Sequence, residues 1–374
     1  MNVLFISNDP SLLVEGSSTV ARMKDYAFAI GTLHILTSAR KASEFHSGAL
    51  HIYGVPCNMF TRVGALSRRA HVLILKEGVE VVSTQDPFEH GLAGMRAIRG
   101  TKAKLHVQVH TDVLSPWFVR DGNMRSPVSK VSVFNRVRVR LASRVLPHAS
   151  GIRVVSERIK TSLLKQFGNR IVVPTVIPIQ VPSVLAPKVV LPERPFTFTL
   201  ITVSRLEPEK RIVDILQALA SIHAQYPSVG LVIVGEGSER TRLEHMARHL
   251  GISDNVVFMG ERPDAVGLMR SSEAYIQASA YEGYGRTLIE AALSGIPIIT
   301  TDVGVVGELL RGYQEVLVAP VADPAALAVH IVGLVSDSAS RIELSLNART
   351  TVQEYLATHT TTAKDIARDL AGLV

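Results

Sequence analysis

Short, nearly uninterrupted apolar runs recur along this chain with stretches of helical composition between them, and that alternation leaves few folds open. Asn2 to Ser7, Leu33 to Thr37, Val79 to Ser83, Leu105 to Val109 and Ile152 to Val155 read as strands, and Thr19 to Ile30 reads as a helix. The pattern restarts beyond a proline-rich segment, Pro174 to Pro195, with Phe198 to Ser204, Val229 to Val234, Val256 to Met259, Tyr275 to Gln277 and Ile298 to Thr300. Strands without a polar face, alternating with helices, predict parallel sheets covered on both sides. The expected class is therefore α/β: two doubly wound, Rossmann-like domains in tandem, with a cleft facing the carboxyl ends of the strands. Residues 1–180 make the expected first domain, 181–195 the linker, 196–355 the second domain and 356–374 a terminal segment. A length of 374 residues suits two domains, and a mean hydropathy of +0.23 lets each bury a substantial core.

Charge is unevenly shared. Met1 to Arg170 holds 24 Lys and Arg against 11 Asp and Glu, a balance of +13, while the remainder stands at −6. The first half is thus suited to an anionic partner. Aromatics are 5% of the chain and no zinc, helix-turn-helix or RNA-recognition signature occurs, so nucleic acid is not the expected partner. An anionic membrane surface or a phosphate-bearing acceptor fits better, beside the plainer reading of a solvated basic face. Within Ser129 to Leu146, Phe134, Val137, Leu141 and Val145 fall at helical spacing, with Arg136, Arg140 and Arg144 on the other side. Two readings are open: a surface helix touching anionic lipid, or a domain helix with its apolar stripe in the core. No run of 18 apolar residues occurs, and Met1 to Pro10 has neither a basic stretch nor a cleavage site, so neither a membrane span nor a leader is expected. Cys57 is the lone cysteine, which excludes a disulfide framework and suits a reducing, cytoplasmic setting.

The most informative stretch is Tyr281 to Glu308. It opens as the glycine-rich loop Tyr281-Glu282-Gly283-Tyr284-Gly285, continues through Arg286 and Thr287 into a helical segment holding Glu290, and stops at Gly295 before the apolar run Ile296 to Thr300. A loop leading into a helix N-terminus gathers unpaired backbone N–H groups at the positive end of a dipole, which suits a phosphate. Glu282 and Glu290 would repel that phosphate, so their place is with hydroxyl groups on either side of it. Sugar, phosphate, sugar is the pattern of a nucleotide-sugar. Ser204-Arg205-Leu206-Glu207-Pro208-Glu209-Lys210 follows the first strand of the second half. Arg205 and Lys210 supply a rigid fork and a mobile point charge there, together matched to a diphosphate. Gly235-Glu236-Gly237 follows the next strand but lacks the third glycine of a dinucleotide fingerprint, since Arg240 stands in its place. No Asp-x-Asp occurs, so a metal-dependent diphosphate site is not expected. In the first half, Gly16, Asp86 and the pair His110 and Asp112 fall in loops at strand carboxyl ends. Position favours a role for His110 over that of an ordinary turn residue.

Taken together, Arg205, Lys210 and the Glu282-x7-Glu290 element resemble the retaining glycosyltransferases of family 4, with the GT-B fold. The resemblance covers essentially the whole chain and is strongest from Ser204 to Glu308. It implies that Arg205 and Lys210, with Ser204 beside them, hold the donor diphosphate, that Glu282 contacts the donor sugar and Glu290 the ribose, and that the amides of Gly283 to Thr287 meet the distal phosphate. His110 resembles the family's histidine near the sugar, and Gly16 part of its first loop, whose glycine pair is here Glu15-Gly16. Tyr284 replaces a phenylalanine. Gly235 lies at the turn near the nucleotide, and Val257 to Gly260, Met259 among them, occupies the base region. Asp86 and Asp112 are candidates on the acceptor side. The terminal helix, Ala363 to Val374, is expected to pack back on the first domain. The implied activity is metal-independent transfer of a hexose, with retention, from a nucleotide-diphosphate sugar to a glycan or lipid-linked acceptor, at the inner face of the membrane if the basic half touches lipid, and without a cofactor. A nucleotide-sugar epimerase, a phosphorylase or a non-catalytic nucleotide-sugar sensor would use the same scaffold.

Overall fold

Hexapeptides such as Asn-Val-Leu-Phe-Ile-Ser and Val-Gly-Leu-Val-Ile-Val bury almost every residue, so they are stable only where helices cover both faces of a sheet. The structure is a computed structural model and describes residues 1–119, 132–181, 187–189, 191, 196–359 and 363–374. Among these, contacts divide the chain into two compact units, one from Met1–Val119, Val131–Ile179 and Thr361–Val374, the other from Gln180–Thr360.

The first unit is built on β1 (Asn2–Ser7), β2 (Thr32–Ala39), β3 (Ser43–Ser47), β4 (Leu50–Pro56), β5 (Val81–Thr84), β6 (Lys104–Val109), β7 (Gly151–Val154) and β8 (Thr175–Val176). Their order is β3-β4-β2-β1-β5-β6-β7-β8, parallel except for β3, which runs antiparallel to β4. The helix Ser18–Ile30 and the last helix, Ala363–Ala371, share one apolar cluster with β1 and β2 through Val20, Ala27, Ile366 and Leu370. The helices Arg62–Glu77 and Glu89–Ala97 cover the opposite face through Leu66, Leu73 and Ala93.

The second unit carries β9 (Phe198–Val203), β10 (Val229–Val234), β11 (Val256–Gly260), β12 (Ala274–Ile276), β13 (Ile298–Thr301) and β14 (Leu317–Ala319), ordered β11-β10-β9-β12-β13-β14 and wholly parallel. The helices Ile212–Ile222 and Pro324–Ser336 share its core. The long helix Ser338–Thr358 packs against Arg286–Ser294. Strand order reverses at β9, whose neighbours are β10 on one side and β12 on the other. The loops leaving β9 and β12 therefore diverge, and a crevice at their carboxyl ends is where open α/β sheets take ligands.

Two doubly wound sheets agree with the reading from sequence, but four strands escape it. Strands β3 and β8 lie at the edges and β14 closes the second sheet, and all three are short, with little apolar signal to separate them from loop. β4 is apolar enough, but its histidine and glycine break the run. The arginine-rich helix spans Val133–Val145, and neither reading of its stripe holds throughout. Ala142 and Val145 are buried, whereas Phe134 and Val137 are exposed, with Arg138 lying 4.2 Å above the Phe134 ring. Residues 129–131 of the expected helix lie outside the described residues.

Candidate functional site

In the second unit the crevice is assembled by backbone before any side chain enters it. The loop leaving β9 rests on the turn after β10: Leu206 N–H donates to the Glu236 carbonyl (2.8 Å) and Glu239 N–H to the Leu206 carbonyl (2.8 Å). Gly235 has φ +133°, and a Cβ there would stand 1.9 Å from the Ser204 carbonyl oxygen. The glycines of Gly235-Glu236-Gly237 thus serve this close approach of two loops, which accounts for their fingerprint-like spacing without a dinucleotide. Gly235 N–H also donates to the Gly260 carbonyl (2.7 Å), bringing the end of β11, with Met259, into the same corner.

The β9 loop then meets the β12 loop. Ala280 N–H donates to the Glu209 carbonyl at 2.8 Å, and Lys210 Nζ donates to Glu282 Oε1 at 2.5 Å. Lys210 and Glu282, 72 residues apart, form a largely buried ion pair, and Ser279 Oγ adds a second donor to Glu282 Oε1 at 2.9 Å. Among the described residues nothing is bonded to Oε2, which is left for a ligand hydroxyl. The ammonium, with three protons, retains two for phosphate oxygens. Lys210 is followed by Arg211, which adopts a left-handed φ of +49° while buried, held by hydrogen bonds to Asp214 at 2.5 and 2.8 Å. That fork sets where the chain turns and hence where Lys210 reaches; sequence reading missed it because the pair resembles any i, i+3 helix pair. Arg205, by contrast, is exposed and lies 3.2 Å from Glu209.

Gly285, at φ +79°, turns the glycine loop into the helix Arg286–Ser294, and Leu288 N–H closes back on the Gly285 carbonyl (2.9 Å). The amides of Arg286 and Thr287, ahead of that bond, have no intrahelical acceptor and point where an anion would sit. Glu290 is paired with Arg286 at 2.7 Å. Thr287 Oγ1 and Tyr275 Oη both donate to Gln277 Oε1 at 3.0 Å, tying the helix to β12, while Gln277 Nε2 and Ser204 Oγ are buried without a partner among the described residues. Gln277 was invisible in sequence, where it reads as the end of an apolar strand. The Tyr284 side chain is buried and hydrogen-bonded to Tyr355 of the Ser338–Thr358 helix, so the loop presents Tyr284 by its backbone. Gly304 packs against that backbone, and Val305 N–H donates to the Tyr284 carbonyl at 3.0 Å.

In the first unit the chosen residues also stand at carboxyl ends of strands. Gly16 lies in the loop after β1, at φ +79°, just before Ser17, whose Oγ caps the next helix. Asp86 follows β5 and accepts from Phe88 N–H (2.7 Å) and His90 Nδ1; burial pushes its carboxyl up, but the His90 hydrogen bond outweighs this and holds it below the usual range. Asp112 accepts from Leu114 N–H (3.2 Å) and Ser162 Oγ (3.3 Å), and burial raises it. His110 ends β6 with Nε2 3.1 Å from Gln108 Oε1; burial, with the nearby Arg153 guanidinium, lowers it to about 3, so its imidazole is neutral at physiological pH. Among the described residues no group of His, Cys, Asp and Glu has the arrangement to hold a metal ion.

This architecture, two parallel-sheet Rossmann-like units with a phosphate-suited crevice in the second, is that of the GT-B glycosyltransferases. Residues 188–351 match the family model described as glycosyl transferases group 1. Over the whole chain the fold superposes on sucrose-phosphate synthase from Thermosynechococcus elongatus with a TM-score of 0.77, at 19% identity and covering 98% of that chain. Anabaena HepE in complex with UDP-glucose gives 0.72, at 20% identity, covering 100% of this chain and 98% of that one. In sequence, N-acetyl-alpha-D-glucosaminyl L-malate synthase of Bacillus anthracis is 29% identical over 155 residues, 41% of this chain and 40% of that protein. Glycogen synthase of Mycobacterium tuberculosis is 32% identical over 144 residues, 38% and 34% of the two chains. These matches thus span less than half the length of the curated relatives.

Proposed function

We propose that this protein is a retaining glycosyltransferase that moves a hexose from a nucleotide-diphosphate sugar to a hydroxyl of a glycan or lipid-linked acceptor, without a metal ion. The observation that carries the reading is the meeting of Lys210 with Glu282 beside the N-terminus of the Arg286–Ser294 helix, at the point where strand order reverses. A departing diphosphate gains negative charge, and Lys210, Arg205 and the first-turn amides are fixed donors for that charge before reaction begins. Glu282, with Oε1 already satisfied, orients the sugar through Oε2, and Glu290 takes the ribose in exchange for Arg286. The reading assigns His110 to the donor sugar. The acceptor hydroxyl attacks from the face the diphosphate leaves, so the anomeric configuration is kept. Relatives named as an N-acetyl-alpha-D-glucosaminyl L-malate synthase and a glycogen synthase, and a fold neighbour solved in complex with UDP-glucose, support sugar nucleotides as the donor class. The basic balance of the first half supports an anionic acceptor, and with it a cytoplasmic protein held at the inner membrane face.

The test is incubation with UDP-, GDP- and ADP-hexoses and a lipid-extract acceptor in the presence of EDTA, read by mass spectrometry and by the anomeric coupling of the product. A new α-linked product from an α-donor is expected. An inverted linkage overturns retention, loss of product in EDTA overturns metal independence, and epimerised donor or binding alone overturns glycosyl transfer.

A further inference from the structure

Two residues of the second unit break local backbone rules, and both line one cavity that the crevice does not use. Tyr313 is held at a left-handed φ of +61°, yet it is 71% exposed. A bulky residue in that region is strained, and here burial of the ring does not offset the strain. Among the described residues the ring meets His330 edge-on, with centroids 6.0 Å apart. Gly333 lies inside the helix Pro324–Ser336, where glycine weakens the helix, and a Cβ there would meet nothing within 4 Å. Local rules broken without a gain in packing mark positions that serve something else.

The cavity measures about 920 Å³, within the range of ligand sites. It lies at the amino end of β14, whereas the crevice lies at the carboxyl ends of β9 and β12. Two of its walls are the helices Pro324–Ser336 and Ser338–Thr358, which bend by 106° at the break between them. The third is the loop from Arg311 to Val316, wound round the buried Glu315 carboxylate. Arg311 donates to that carboxylate from its backbone N–H at 2.8 Å and from Nη2 at 2.7 Å, and Thr351 Oγ1 lies 3.3 Å from it. Asn347 Nδ2 ties the loop to the long helix through the Gln314 carbonyl at 3.1 Å, and Tyr313 N–H donates to the Val316 carbonyl at 2.7 Å. The Tyr313 ring is thus carried on a braced support.

Ser340, Glu343, Asn347 and Thr350 recur every three or four residues and line the cavity from one face of the long helix. Leu317, Leu334 and Leu344 supply an apolar patch beside them. Arg311 is neutralised by Glu315, and Asp337 is engaged as a helix cap, accepting from Ala339 N–H, Ser340 N–H and Ser340 Oγ. Among the described residues Glu343 has no ion pair, so a carboxylate rather than a cation faces the space, which disfavours phosphates and nucleotides. An exposed aromatic ring beside closely spaced hydroxyl, amide and carboxylate groups suits an uncharged polyol. The C–H face of a sugar packs on such a ring while its hydroxyls exchange hydrogen bonds with those side chains.

We propose that this cavity binds a stretch of uncharged glycan, with Tyr313 as the stacking platform. The choice of carbohydrate stands on the cavity alone; that the glycan is an acceptor or product of the crevice rests on the function proposed above.

Native electrophoresis of the full chain through gels containing glycogen, dextran, mannan or galactan is the test. At least one of these polysaccharides is expected to retard the protein. Tyr313→Asn removes the ring and suits the left-handed backbone, and Gly333→Phe fills the cavity from its helix wall. Each is expected to weaken the interaction about tenfold, the worth of one stacked ring, and to melt no lower than the wild type. Retardation by none of the polysaccharides overturns the proposal, as does retardation that either variant leaves unchanged. A Tyr313→Asn protein that melts several degrees lower makes the ring a packing element and overturns it too. Retardation lost in both variants, from a wild type that transfers no sugar, supports the glycan site and overturns the proposed function alone.

Discussion

At the scale of single residues the site rests on where two cations, Lys210 and Arg205, find their counterions. Lys210 and Glu282 hold one another across two loops, and this pair is better buried than the Arg205–Glu209 pair, whose arginine lies at the surface. Preorganised donors facing a leaving diphosphate are each worth about 3–4 kcal/mol in the transition state. Lys210→Ala and Arg205→Ala are therefore expected to lower kcat on the order of a hundred- to thousandfold. Arg205→Ala should leave the melting temperature unchanged, because exposed ion pairs contribute little to stability. Lys210→Ala strips Glu282 of its partner and is expected to melt earlier. Glu282→Gln keeps the shape but leaves the Lys210 ammonium without its counterion, and should lower both turnover and the melting temperature. Turnover within threefold of wild type for Arg205→Ala and Lys210→Ala, with product quantified under saturating donor, would remove both from the reaction.

At the scale of elements, function sits on loops whose positions are set by glycine. Gly235→Ala would place a methyl group 1.9 Å from the Ser204 carbonyl at a φ of +133°, so the β9 loop must move or the turn must refold. A cost of roughly 2–3 kcal/mol is expected, with donor binding weakened as Arg205 shifts. Gly16→Ala is the control: its φ of +79° is equally left-handed but its Cβ meets nothing within 4 Å, and the expected cost is about 1–2 kcal/mol. Thermal melts of the two variants side by side separate loop packing from backbone strain. Much of this level was legible in the sequence. The runs Asn2–Ser7 and Val229–Val234 coincide with their strands because uninterrupted burial leaves a continuous apolar signature. The glycine loop ahead of Arg286–Ser294 was legible because Gly285 and Gly295 mark both ends of that helix. What was not legible depends on pairing at a distance: that Lys210 reaches Glu282, that Gln277 joins Tyr275 to Thr287, or that Tyr284 turns inward to Tyr355. Nothing in the spacing of those residues encodes which loops the sheet order will bring side by side.

At the scale of the whole molecule, charge and protonation govern behaviour that no one contact explains. From the excess of +13 in the first 170 residues, with Phe134 and Val137 exposed on the arginine-bearing helix, attraction to anionic surfaces is the expected outcome. Sedimentation with phosphatidylglycerol vesicles is expected at 50 mM salt and release by 500 mM, whereas no binding at either would point to a soluble acceptor. Stability should also depend on pH through a histidine cluster in the first unit. His34 on β2 is 2% exposed, stacks on His51 at 4.9 Å and neighbours Tyr53, and its Nε2 has no partner among the described residues. Burial, reinforced by the charges that His51, His46 and Lys76 would add against the pull of Glu77, lowers it from 6.5 to about 4. The unfolded chain therefore takes up this proton near 6.5 and the folded chain only near 4, so the stabilisation is whole above pH 6.5 and is lost as the pH falls toward 4. By pH 5 the loss from this group is on the order of 2 kcal/mol, a drop of several degrees in the melting temperature of a chain this size. His34→Phe keeps a stacked ring without the titrating nitrogen and is expected to flatten that dependence between pH 6.5 and 4, while a melting profile as steep as the wild type's would place the titration elsewhere.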